Sequence, residues 1–278
     1  MKTLYVSDLD GTLLNKDAVL SSYTIETIND LIKKGLSFSV ATARSAATVR
    51  KILEPLNLSI PVVLMNGVVI YDLKTDQYLN INYLTKSSLD YVYNTLKSIS
   101  LSGFLYEIKD NTLCTYYENL HNKAMKEFHD ERVTLYNKKF VQVEDFKDII
   151  SENTIYITLM DTEDRLVPIY EQLRLNPDLS LALYKDIYSK EDSWFLEVFS
   201  VKATKYNAVT YLRNHLQYEK IVGFGDNTND LPLFKACDTA LAVGNAIDEV
   251  KTAADCIIES NADNGVAKYL RREFNDSY

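Results

Sequence analysis

Residues 4–14 read Leu4-Tyr5-Val6-Ser7-Asp8-Leu9-Asp10-Gly11-Thr12-Leu13-Leu14. A short, apolar, β-rich run meets two acids two positions apart and then a glycine, which reads as a buried strand ending in a polar turn. The same alternation continues outward. Helical spacing at Ile25, Ile28, Leu31 and Ile32 predicts a helix, with Ser22 as its N-cap and Gly35 as its stop. Phe38-Ser39-Val40-Ala41 reads as a second strand, ending at Thr42. Val49, Ile52 and Leu53 restore the helical period until Pro55, and Pro61-Val62-Val63-Leu64-Met65 forms a third strand that ends at Asn66-Gly67. This β-α-β-α-β order predicts an α/β fold, a Rossmann-like and mostly parallel sheet core with helices on both faces.

The pattern returns near the end of the chain. Ile221-Val222-Gly223-Phe224-Gly225 is a strand ending at Asp226, followed by a helix with Pro232 in its first turn. Ala240-Leu241-Ala242-Val243 ends at Gly244-Asn245, and a further helix and the strand Cys256-Ile257-Ile258 follow. The intervening stretch differs in character. It is rich in Tyr, Lys and Asp, alternates at Thr154–Leu159 and Trp194–Val198, and has helical spacing at Leu89, Val92, Tyr93 and Leu96. That is the pattern of an α+β domain with a half-exposed sheet. The expected division is an α/β core at 1–82 and 197–278, with an inserted α+β cap at 83–196. Many of the twenty tyrosines lie in the insert and offer stacking surfaces for a sugar or ring, although core packing accounts for most of them.

Composition narrows the function classes. The formal net charge of −9 and a pI near 5.0 oppose binding to a nucleic-acid backbone, which needs clustered Lys and Arg. No run of eighteen apolar residues predicts a membrane span, and the opening Met1–Val6 segment is too short for a secretory signal, so a cytoplasmic location is expected. Cys114, Cys237 and Cys256 are too few and too scattered for a disulfide framework or a zinc site. His121 and His129 read as a solvated helical face rather than a ligand pair.

Ligands of open α/β sheets bind beyond the carboxyl ends of the strands. That rule gathers Asp8, Asp10, Thr42, Asn66 and Asp226 into one crevice. Carboxylates so gathered repel one another unless a cation is present, and an all-oxygen set suits Mg²⁺. Asp8 and Asp10, two apart at a strand end, share a side, so one carboxylate can attack a phosphorus while the other handles the leaving-group proton. Gly11 permits a turn with positive φ, and the amides after it can hold a phosphoryl oxygen. Gly225-Asp226-Asn227-Thr228-Asn229-Asp230 is a second acidic cluster, and Asn227 or Asn229 is placed to cap the helix that follows. It lacks the glycine and glutamate spacing of a calcium hand, and a dinucleotide fingerprint begun at Gly223 breaks at Thr228. A cation is needed to offset the transferring charge, and spacing leaves both Lys202 and Lys205 open for that role.

With these residues in view, the chain resembles the haloacid dehalogenase superfamily, in its large-capped, Cof-like phosphatase branch. Ser7–Leu14 looks like the first motif of that family, Ala41–Arg44 like the second, Val201–Val209 like the third and Gly225–Phe234 like the fourth. The tail from Val243 to Leu270 also matches this branch. The resemblance implies that Asp8 is the nucleophile and Asp10 the general acid and then base. Thr42 and Lys205 would bind the phosphoryl oxygens, with Ala43 and Arg44 in the same substrate-binding segment. It implies Mg²⁺ held by the Asp8 side chain, the Asp10 backbone carbonyl and Asp226, with Asp230 in support. Asn229 would fix Lys205 or the phosphate, and Asn66-Gly67 would line the substrate entrance. Two residues depart from the pattern: Ala43 stands where a glycine is usual, and Tyr206 where a small residue is usual.

The expected activity is Mg²⁺-dependent hydrolysis of a small phosphorylated metabolite, a sugar phosphate or similar monoester, by a monomer or weak dimer. The alternatives are a hexose-phosphate mutase and a non-catalytic ligand-binding protein on the same fold.

Overall fold

A computed structural model describes residues 2–186 and 193–275. Of these, 2–80 and 204–275 form one compact unit, and 81–186 and 193–203 form another. The expected core range ends at 278, so its last three residues lie outside the described ones, as do 187–192 of the expected cap.

The first unit begins with β1 (Thr3–Ser7), α1 (Ser22–Lys33), β2 (Ser37–Val40), α2 (Ala46–Leu53), β3 (Val62–Leu64), β4 (Val69–Asp72) and β5 (Gln77–Ile81). Ser21, not Ser22, caps α1. Its hydroxyl oxygen accepts from Thr24 N and its hydrogen goes to Asn264 Oδ1, a partner brought from the far end of the chain. The third predicted strand also differs in its neighbours. β3 touches the parallel sheet through a single Ala41–Val63 bridge and otherwise pairs antiparallel with β4. The chain reverses directly between β3 and β4, with no crossover helix, and such a connection can only make an antiparallel pair.

The second unit contains α3 (Lys86–Ser98), β6 (Phe104–Lys109), β7 (Thr112–Tyr117), α4 (Lys123–Tyr136), β8 (Phe140–Gln142), β9 (Thr154–Asp161), α5 (Glu163–Leu173), β10 (Leu179–Lys185) and β11 (Trp194–Ser200). Its six-stranded sheet has the order β10-β11-β9-β6-β7-β8 and is antiparallel except at β7–β8. Leu89, Val92 and Leu96 of α3 and Leu166, Ile169 and Leu173 of α5 pack with Leu105, Ile157, Leu159, Leu196 and Val198 on one face of that sheet. β11 pairs along its length with β9 and β10, so residues 197–203 group with this unit rather than with the core, seven residues later than the sequence division placed the join. His121 is exposed, as expected, but lies outside the helix, and His129 on α4 is half-buried. His121 precedes α4 and pairs with Asp161, while the His129 ring packs edge-on against Tyr117 and Phe140.

The chain then returns through α6 (Lys205–Leu216), β12 (Lys220–Gly225), α7 (Leu231–Ala236), β13 (Thr239–Val243), α8 (Asp248–Ala253), β14 (Cys256–Ile258) and α9 (Gly265–Asn275). The core sheet is β14-β13-β12-β1-β2, parallel at every pair. Helices cover both faces, as expected. On one, Tyr269 and Phe274 of α9 meet Phe224 and Tyr5. On the other, Leu233 and Cys237 press against Gly223, where a Cβ would lie 2.5 Å from Cys237 Sγ. β1 and β12 are adjacent and point the same way, while their onward connections run to opposite sides of the sheet. Their carboxyl ends therefore open a crevice at the point where strand order reverses.

Candidate active site

Asp8 leaves β1 with its amide donating to Phe224 O of β12, so it begins beside the end of that strand. The next turn, Leu9–Leu13, is an irregular wide helical turn with Gly11 at φ +75°. A Cβ on Gly11 would come within 2.3 Å of Asp226 Oδ2, so the glycine is required both by backbone conformation and by the acid against it. Thr12 donates its hydroxyl to Asp226 Oδ1 at 2.7 Å. The first acidic motif is thereby fastened to the second.

Asp226 directly follows β12, and the turn after it is a capping box. Asn227 caps the turn at Thr228–Asp230, and Asp230 Oδ2 accepts from the amides of both Asp226 and Asn227. Gly225 makes room for that carboxylate, since a Cβ there would lie 2.5 Å from Asp230 Cβ. Lys205 begins α6 behind the N-cap Thr204, whose hydroxyl oxygen accepts from Asn207 N. Its ammonium, 1% exposed, donates to Asp8 Oδ1 and to Asp230 Oδ1, each at 2.7 Å.

Carboxylate oxygens of Asp8, Asp226 and Asp230 lie within 4.8 Å of one another. Three acids face one ammonium, so the cluster lacks positive charge. Burial, only partly offset by Lys205, pushes Asp8 well above the usual carboxylate range, with Asp230 and Asp226 adding to the rise. Asp226 is pushed up to about 6 by burial and by Asp230, against the hydrogen bond from Thr12. Burial pulls the Lys205 ammonium down, yet Asp230 and Asp8 outweigh it and hold it above its ordinary value. A divalent cation fits this donor set, because it would supply the missing charge to an all-oxygen pocket. Asp230 has both oxygens engaged by Lys205 and two amides, which suits it to holding Lys205 and the Asp226 turn rather than to a direct cation bond.

The remaining expected residues sit around this cluster. Thr42 follows β2, is 1% exposed, and accepts from Arg44 N through its hydroxyl oxygen, which leaves the hydroxyl hydrogen to donate. Ala43 is exposed and has no positive φ, so the backbone passes this position without the usual glycine. Met65, Asn66 and Gly67 all have positive φ. Their strained turn is held by bonds from Met65 N to Arg44 O and from Asn66 N to Thr42 O. A Cβ on Gly67 would meet Thr204 O at 2.3 Å, so this turn abuts the start of α6. Asn229 does not reach Lys205; its amide points to Asn66 Oδ1 at 3.4 Å. Tyr206 is 43% exposed beside Lys205.

Asp10 stands apart from the three clustered acids. Arg44 grips it with both ends of its fork, Nε to Oδ2 and Nη2 to Oδ1, each at 2.7 Å. Sequence reading placed Asp10 and Arg44 in the site separately and missed the pair. It also passed over Asn245, whose amide donates to Gly11 O and whose Oδ1 accepts from Asn261 N. Asn261 in turn donates to Leu14 O. The strand-end rule that selected Asp226 applies equally to Asn245, just beyond β13, and would have found it.

A family model for haloacid dehalogenase-like hydrolases matches residues 5–270. Among curated relatives, the 5-amino-6-(5-phospho-D-ribitylamino)uracil phosphatases YcsE and YwtE of Bacillus subtilis are 25% and 26% identical. The alignments cover 96% of this chain and 94% of YcsE, and 98% of both this chain and YwtE. Among solved structures, TM0651 from Thermotoga maritima superposes with a TM-score of 0.78 at 25% identity, covering 98% of this chain and 97% of that one. A haloacid dehalogenase-like hydrolase from Bacteroides thetaiotaomicron superposes at 0.79 with 23% identity, covering 98% and 100%, and shares the fold.

Proposed function

The chain belongs to the haloacid dehalogenase-like hydrolase family and is a phosphatase, and from that premise we propose that it hydrolyses a small phosphomonoester through an aspartyl-phosphate on Asp8. The observation that carries the reading is the buried Lys205 bridge between Asp8 and Asp230, set beside Asp226.

Lys205 takes one oxygen of Asp8, and the described residues make no hydrogen bond to the other. That oxygen attacks phosphorus as the bond from phosphorus to the leaving oxygen breaks, and Asp10 gives its proton to the leaving alcohol. Water then attacks the phosphoryl group, Asp10 takes a proton from it, and the bond to Asp8 breaks. The sum is one phosphomonoester and one water giving one alcohol and one phosphate. Thr42 and Lys205 donate to the phosphoryl oxygens, where charge spreads in the transition state. Mg²⁺ is the expected metal; the carboxylates of Asp8 and Asp226 and the backbone carbonyl of Asp10 would hold it, and it would supply positive charge that offsets the charge of the transferring group. Asp230 keeps Lys205 and the Asp226 turn in place. The 81–203 unit acts as the cap that selects the leaving group.

YcsE and YwtE are named for 5-amino-6-(5-phospho-D-ribitylamino)uracil, which makes that monoester the first substrate to assay. The test of the reaction itself is phosphate release from p-nitrophenyl phosphate. Release that depends on Mg²⁺ and disappears in Asp8→Asn supports the reading; full activity in Asp8→Asn ends it.

A further inference from the structure

The turn that carries Asp10 has a direction that its own sequence does not fix. Asp10 (φ −72°, ψ 124°) and Gly11 (φ 75°, ψ −8°) carry the dihedrals of a type II turn. Type I and type II turns differ by rotation of the peptide between their two central residues, here the Asp10–Gly11 unit. Glycine on one side of that peptide lowers the cost of the rotation. The Asp10 carbonyl therefore keeps one direction only if the flanks of the turn are held. On one flank Leu14 N donates to Leu9 O at 2.8 Å, and the Thr12 hydroxyl donates to Asp226 Oδ1 at 2.7 Å. On the other, Asn245 Nδ2 donates to Gly11 O at 2.8 Å.

Asn245 is itself clamped. Its Oδ1 accepts from Asn261 N at 2.9 Å, and Asn261 Nδ2 donates to Leu14 O at 2.8 Å, so the two asparagines span the turn from Gly11 to Leu14. A backbone carbonyl only accepts and a backbone amide only donates, which fixes the end of the Asn245 amide that faces each partner. Two residues on, Ile247 N donates to Asp226 O at 3.0 Å, so the segment after β13 holds both acidic motifs. Asn245 is exposed. Hydrogen bonds that compete with water add little to stability, so the worth of this one lies in the direction it imposes. In a trans peptide the C=O and N–H point opposite ways. With Gly11 O turned to Asn245, Thr12 N–H faces away from the tail.

We propose that Asn245 is a positioning residue of the phosphatase site. It acts through the turn rather than on substrate: by holding Gly11 O it steadies the Asp10 carbonyl on one side and the Thr12 hydroxyl against Asp226 on the other. The inference rests on the phosphatase reading and deepens it. Loosening the turn misplaces reacting groups while Thr42 and Lys205 keep their own supports, so the loss falls on kcat more than on KM.

The test is made on the full chain with p-nitrophenyl phosphate and saturating Mg²⁺. Asn245→Ala should lower kcat by about tenfold or more and change KM by less than about threefold. Thr12→Val, which removes the bond to Asp226 at nearly constant shape, should also lower kcat. The double variant should lose little beyond the poorer single one, because both side chains hold the same Gly11–Thr12 segment. In the metal-free protein, hydrogen exchange at the Leu14 amide should speed up by about tenfold in Asn245→Ala while exchange along β12 stays unchanged, which separates a loosened turn from a loosened fold. Wild-type kcat in Asn245→Ala, a loss confined to KM, losses that multiply in the double variant, or unchanged exchange at Leu14 would each overturn the proposal. A wild-type protein that releases no phosphate would end the phosphatase reading and this one with it, whereas an active wild type beside a fully active Asn245→Ala would end this one alone.

Discussion

Lys205 Nζ lies 2.7 Å from Asp8 Oδ1 across 197 residues of chain, with both side chains almost fully buried. An ion pair removed from water this completely stays stable only while both partners remain. Truncating Lys205 to Ala leaves Asp8 and Asp230 facing each other without the ammonium. The expected cost is about 3–5 kcal/mol in urea denaturation of the metal-free protein, with part recovered on adding Mg²⁺. A loss below about 1 kcal/mol would mean that the bridge does not hold the site together.

Gly11 is the joint between the two acidic motifs. An alanine there takes a left-handed backbone costing roughly 1–2 kcal/mol, and its Cβ collides with Asp226 Oδ2. Gly11→Ala should therefore lose phosphatase activity by more than about tenfold at temperatures where it remains folded. Wild-type kcat in a folded Gly11→Ala protein would show that Asp226 is free to move aside.

The metal-free protein should carry an unusual pH signature. Asp226 has a folded value near 6, above its unfolded value, so the folded state holds this proton more tightly. The group therefore disfavours folding progressively as pH rises from about 4 through about 6. Asn at this position keeps an oxygen for Thr12 and removes the titration. Asp226→Asn should match wild type near pH 4 and exceed it in Tm above pH 6 without metal, and Mg²⁺ should reverse the order. Parallel Tm curves for the two proteins across that range would count against the charge imbalance.

Arg44 holds the Asp10 carboxylate at both oxygens, a geometry that lysine cannot reproduce. If Asp10 handles the leaving-group proton, misplacing it matters most where the leaving alcohol is poor. Arg44→Lys should lower kcat for an alkyl phosphate by about 10²-fold, while p-nitrophenyl phosphate, whose leaving group needs no proton, loses far less. Equal losses on both would assign Arg44 to phosphate binding instead.

Much of the fold was legible because its signals are local. Apolar runs ending in Asp8, Thr42 and Asp226 are strands, and the 3.6-residue spacing between them is helix, whatever the rest of the chain does. The capping box at Asn227 and Asp230 is likewise written within four residues. The Ser21 cap was misplaced by one because its choice depends on Asn264, 243 residues away. The antiparallel pairing of β3 with β4 is not legible, because nothing in the run Pro61–Met65 records the turn that follows it. The join at 197 was set too early because the alternation of β11 identifies a strand without naming its sheet.

Local pattern specifies the set of elements and the acids, threonine and lysine at their ends. Each of those signals is carried by neighbours within a few positions. Which of these groups meet is settled by the packing of distant segments. Asp230 supports Lys205 with both of its oxygens engaged, Arg44 takes Asp10, and Asn245 ties the Gly11 turn to the tail. Those outcomes depend on strand order, register and side-chain direction, which are set by packing between segments far apart in the chain, and no local pattern encodes them.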